Sequence, residues 1–162
     1  MTGASRRICS IGIGALLLAL GIAQAAAPAG AEDQFDYRLN DLNGVEFRAS
    51  DSIGKWLIIN FWATWCTPCL KEMPELEKFY QANRHRADVW GVTFEDTDID
   101  AIRRYVARLG VTYPILGYGQ DPKTGYGEVT GLPTTFVIDP EGNFLRKFEG
   151  PIGADDLVEA IR

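Results

Sequence analysis

Two apolar runs organise the chain. Residues 56–61 and 89–94 are short, rich in β-forming side chains and almost free of polar alternation, as expected of strands buried on both faces. The good helix formers between them predict a helix from about Thr67 to about Asn83, which Pro74 kinks rather than ends. Two buried strands joined by a helix make a right-handed parallel crossover. Upstream, residues 35–39 and 45–48 alternate around Asn43 and Gly44, a tight-turn pair, so a hairpin comes first. Downstream, Ile99, Ile102, Tyr105, Val106 and Leu109 share one face of a helix over 98–109 that Gly110 closes. Residues 112–116 read as a short edge-like strand, since Pro114 cannot donate to a ladder. One helical turn is expected around 126–129. Thr134–Ile138 and Phe144–Glu149 flank a turn at 139–143 and pair as a second hairpin, and 154–162 is a terminal amphipathic helix. The expectation is an α/β domain with a central mixed β-sheet flanked by helices on both faces and an added N-terminal β-hairpin.

Two cysteines stand where the first run meets the first helix. Cys66 lies at that junction, where orphan N–H groups and the peptide dipoles stabilise a thiolate. Pro68 suits the first helical turn, because its missing N–H would have had no partner anyway. Cys69, one turn further in, can close a disulfide with Cys66, which assigns Cys66 as the attacking thiol and Cys69 as the resolving one. Half a zinc site is the commonest competing reading of this spacing, but structural zinc takes four Cys or His ligands. Besides this pair the chain holds only Cys9, in the leader, and His85. A purely structural bridge would close a very short loop and restrict little of the unfolded chain. No metal and no cofactor are expected.

The first residues change the picture of where this happens. Arg6 and Arg7 precede an uncharged apolar stretch from Ile8 to Ile22, and Ala23, Gln24 and Ala25 fit a small-x-small cleavage pattern. Residues 1–25 therefore read as a signal peptide or a membrane anchor, 26–34 as a flexible tether, and 35–162 as one domain. The leader carries two of the 16 basic residues and none of the 22 acidic ones, which leaves the remainder at −8. Such a surface repels phosphate backbones and argues against nucleic-acid binding. The predicted location is periplasmic or otherwise extracytoplasmic.

The blocks Asn60 to Cys69, Pro74 and Gly131 to Phe136, together with Gly150, Pro151 and Ile152, resemble the thioredoxin superfamily, and within it the exported TlpA/ResA-like thiol–disulfide reductases. The likeness spans about 35–162. It implies a thioredoxin-like fold and a cis Leu132–Pro133 bond. Leu132 and Pro133 would present an extended edge near Cys66 for main-chain pairing with a substrate. It also places Asn60 where cytosolic relatives carry a buried Asp, and offers Glu95 as the group that accepts the Cys69 proton. Trp65 is a candidate docking surface, whereas Trp62 is expected in the core.

Thr67 and Pro68 put no cation between the cysteines, so the expected activity is reduction of partner disulfides, nearer about −270 mV than about −120 mV. A disulfide oxidase or isomerase, or a Cu(I)-binding module drawing on Met73 and His85, are the alternatives. A peroxiredoxin would need Thr three residues before its reactive cysteine, where this chain has Ala63. The resemblance implies disulfide-bearing protein substrates, of the cytochrome c maturation or metal-centre assembly type. It also implies a membrane electron donor of DsbD or CcdA type. A monomer is expected.

Overall fold

Alternation along one strand sets the architecture. The computed structural model describes residues 37–96, 98–117 and 124–162, which belong to a unit spanning 35–162. A hairpin of β1 (Arg38–Asn40) and β2 (Glu46–Arg48) leads through a 3-10 turn (Ala49–Ser52) into β3 (Trp56–Trp62). Then follow α1 (Thr67–Asn83), β4 (Ala87–Thr93), α2 (Ile99–Leu109), β5 (Ile115–Leu116), β6 (Thr134–Ile138), β7 (Phe144–Glu149) and α3 (Ala154–Ala160). The main sheet runs β5-β4-β3-β6-β7, with β1 and β2 forming a separate ladder. Strand β3 is parallel to β4 and antiparallel to β6, so the sheet is mixed.

Successive side chains of β3 point to opposite faces. Ile58 and Trp62 join one core with Met73, Leu76 and Phe79 of α1, Ile102 of α2 and Leu157 of α3. Leu57, Ile59 and Phe61 join the other with Trp90, Val92, Phe136 and Ile138. All three α-helices contribute to the first core. The second is closed by Tyr37, by Leu39 of the hairpin and by Ala49 of the 3-10 turn, so the added N-terminal segment covers apolar surface that a helix would otherwise have to cover.

Local differences from the sequence expectation have local causes. Helix α1 continues past Pro74 as expected, with the ring on the exposed side of the helix; the departures lie elsewhere. Strand β5 is only Ile115–Leu116: Pro114 has no N–H and serves as acceptor for Gly91 N at 2.9 Å. Residues 126–129 form no helical turn. Thr124 and Gly127 make an isolated bridge instead, and Gly127 adopts φ +141°, outside the helical range. The leader and tether, 1–34, lie outside the described residues. Among those described, no helix is long and apolar enough to cross a membrane.

Candidate active site

The chain leaves the buried end of β3, turns at Ala63 and Thr64, and enters α1 at Cys66. Cys66 is the N-cap: its backbone is extended (φ −88°, ψ 92°), and its sulfur accepts the Cys69 N–H at 3.3 Å. Leu70 N then donates to the Cys66 carbonyl at 3.1 Å, which begins the helical ladder. Thr67 and Pro68 fill the first turn and are exposed. The two sulfurs are bonded, with Cα atoms 5.3 Å apart; Cys66 is 4 % exposed and Cys69 fully buried. The N–H that now meets a disulfide sulfur would meet the Cys66 thiolate after reduction, the arrangement that lowers a thiol pKa.

Glu95, just beyond β4, sends its carboxylate back to the turn before Cys66. It accepts from Thr64 N at 2.6 Å and from Thr64 Oγ1 at 2.8 Å. Trp65, the next residue, is 66 % exposed, whereas Trp62 is fully buried. On the neighbouring strand Thr134 pairs with Phe61, which sets Pro133 beside the end of β3. The Leu132–Pro133 bond is cis, as the resemblance implied. Leu132 packs against both cores, and Thr134 Oγ1 donates to the Gly131 carbonyl at 2.7 Å.

A further acid sits one turn beyond Cys69. Glu72 is 3 % exposed. Asn60 Nδ2 donates to it at 2.7 Å and Ile152 N at 3.0 Å. Burial pushes its pKa up to about 7 against the opposing pull of these two hydrogen bonds. Asn60 Nδ2 also donates to Thr135 Oγ1 at 2.9 Å, so the carboxylate ties α1 to β3, β6 and the segment before α3.

A profile of the AhpC/TSA family matches residues 31–146. The chain belongs to that family, within the thioredoxin superfamily. Among its relatives is the thiol-disulfide oxidoreductase ResA of Geobacillus kaustophilus, 34 % identical over 123 residues that cover 75 % of this chain and 70 % of the relative. Among solved structures, a thioredoxin family thiol:disulfide interchange protein from Chlorobium tepidum superposes with a TM-score of 0.65 at 27 % identity. It covers 78 % of this chain and 90 % of that one. StoA from Bacillus subtilis reaches 0.67 at 21 % identity, covering 79 % and 97 %, a likeness of fold. The protein is a thiol–disulfide oxidoreductase.

Within this oxidoreductase the fold brings Cys66, Cys69, Trp65, Leu132, Pro133 and the Thr64–Glu95 pair to the end of β3 and the start of α1. Glu95 is engaged with Thr64, and Glu72 is the acid that shares the buried face of α1 with Cys69. Along the sequence Glu72 is one helix former among several. One signal could have found it: Cys69, Glu72, Met73 and Leu76 form a single helical stripe, and a lone acid on an apolar stripe needs a buried partner.

Proposed function

We propose that this oxidoreductase is exported and passes two electrons to disulfide-bonded proteins outside the cytosol. The Cys66 thiolate attacks one sulfur of the partner disulfide; that S–S bond breaks and the other partner sulfur leaves as a thiolate. Cys69 then loses its proton and attacks Cys66 Sγ. The mixed disulfide breaks, the partner departs as a dithiol, and the Cys66–Cys69 bond is left behind. The observation that most supports this reading is the Cys66 sulfur at the helix N-cap with Cys69 joined to it from within the first turn.

Glu72, rather than Glu95, is our choice for the group that accepts the Cys69 proton. It is buried one turn from that thiol, and its pKa of about 7 suits proton transfer near neutrality. Glu95 holds the turn that carries Trp65 and Cys66. Trp65 and the Leu132–Pro133 edge receive the partner, while Thr67 and Pro68 shape the helix start without adding charge. Residues 1–25 direct export or anchor the chain. A membrane donor of DsbD or CcdA type restores the dithiol, and the domain works as a monomer. Clients belong to cytochrome c maturation or metal-centre assembly.

The test is equilibration of the protein with glutathione buffers, together with trapping on a Cys69→Ala variant. A potential close to about −270 mV, and mixed disulfides on Cys66 with proteins bearing paired cysteines, support the reading. A potential close to about −120 mV would make it an oxidase instead.

A further inference from the structure

The short segment between β7 and α3 has two ends with different attachments. At one end Gly150 N donates to the Pro133 carbonyl at 2.9 Å. At the other, Ile152 N donates to the buried Glu72 carboxylate at 3.0 Å, across 80 residues of sequence. Only Pro151 separates them. A second tie runs in parallel: Glu72 to Asn60, and Asn60 to Thr135, two residues after Pro133. The acid beneath the cysteines is thus connected on two sides to the strand that follows the Leu132–Pro133 bond.

We propose that Gly150, Pro151 and Ile152 form a strap that positions the Leu132–Pro133 edge for substrate and couples its docking to Glu72. The coupling is mechanical. The one residue between the anchors is Pro151, whose ring fixes φ, and the flanking N–H groups are both committed, so displacing one anchor disturbs the other. Coupling of this kind is reciprocal: a substrate strand that pulls on the Pro133 edge alters the hold on Glu72, and a change at Glu72 alters docking by the same factor. Gly150 makes the geometry possible. It adopts φ +97°, a conformation other residues rarely tolerate, and a Cβ there would meet nothing within 4 Å. Replacing it by Ala disturbs the path of the strap without creating a clash.

The fold supplies a matched control. Gly54 adopts φ +91°, also has open space around a Cβ, and donates its N–H to the Pro140 carbonyl at 2.8 Å. Pro133 precedes β6 and Pro140 follows it, so the two glycines secure opposite ends of one strand. Gly150→Ala and Gly54→Ala should lose similar thermal stability, since both strain one residue in the left-handed region.

The inference rests on reading Leu132 and Pro133 as the docking edge, and the experiment separates the two. The full chain carrying each substitution is tested for reduction of a disulfide-bearing peptide, with dithiothreitol as the source of electrons, its direct reaction subtracted, and KM and kcat resolved. In the oxidised protein the Glu72 carboxyl is titrated by carbon NMR. The other titratable side chains in play are Cys69, held in its disulfide there, and Tyr113, on which Glu72 acts electrostatically. The expected result is that Gly150→Ala raises KM by roughly fivefold, the lower end of ordinary coupling between sites, and moves the Glu72 titration upward as its Ile152 bond weakens. Gly54→Ala should move neither. If the two variants behave alike in both measurements, the strap is overturned while the reductase reading stands. If KM changes but the Glu72 titration does not, coupling to Glu72 is likewise overturned. If the unsubstituted protein fails to reduce the peptide, the reductase reading itself falls, and with it the proposed coupling to substrate.

Discussion

Asn60 Nδ2 donates a 2.7 Å hydrogen bond to Glu72 Oε1, joining the middle of the central strand to the first turns of α1. The same nitrogen also serves Thr135, leaving Asn60 Oδ1 buried with no partner among the described residues. Asn60 cannot titrate, so its N–H favours the ionised carboxylate of Glu72 without competing for the proton.

Glu72→Gln should therefore slow the resolving step. A positioned base contributes roughly 10²-fold or more, and a loss of that order is expected at pH 8, where Glu72 is ionised in the native protein. The rate should also lose its dependence on a group with a pKa of about 7. Stopped-flow release of reduced peptide from a preformed mixed disulfide measures this step alone, and an unchanged pH profile would remove Glu72 from the mechanism. Asn60→Asp places a second acid 2.7 Å from the first and should drive the limb to higher pH.

Stability should respond to the same group. Glu72 holds its proton more tightly folded, at about 7, than at its ordinary value of 4.5. Its contribution is therefore complete below 4.5 and lost as pH rises through about 7. The expected fall in unfolding free energy over that range is about 3 kcal/mol at most, and denaturant titration of the oxidised protein at a series of pH values measures it. Glu72→Gln should flatten this part of the curve. A curve equally steep in both proteins would assign the effect elsewhere.

The Glu95 carboxylate takes two hydrogen bonds from one threonine, and Gln offers only one accepting oxygen in its place. Glu95→Gln should cost about 1–2 kcal/mol and should increase the mobility of the Trp65 indole in fluorescence anisotropy. Trp65→Ala, by contrast, removes a side chain that is 66 % exposed. It should change stability by no more than about 0.5 kcal/mol while raising KM for peptide substrates. A large drop in melting temperature would mean that Trp65 belongs to the core.

Gly91 pairs with Asn60 on the neighbouring strand, where a side chain has no room. A Cβ there would come within 2.7 Å of Ile115 Cδ1 and 3.0 Å of Tyr113 Cε2. Gly91→Ala should destabilise the fold by about 1–3 kcal/mol, read from the urea midpoint at unchanged slope.

The chain's own order of residues determined the elements that depend on near neighbours. The buried run of β3, the helix start at Cys66, the cysteine pair one turn apart and the stop at Gly110 are each set by interactions within a few residues. The same holds for the individual strands, marked by composition and turn residues, whereas their order β5-β4-β3-β6-β7 comes from pairing across the sequence. Where a local constraint was subtler the reading erred: Gly127 at φ +141° turns the 126–129 segment out of a helix. What only the tertiary structure decided is which groups meet across the sequence. Glu72 receives Asn60 and Ile152 from 12 and 80 residues away, and Glu95 holds Thr64 across 31. An acid's proton affinity follows from how much water the assembled fold removes and which donors it supplies instead. That is why Glu72 read as an ordinary helix former until the sheet and the Gly150–Ile152 segment closed around it.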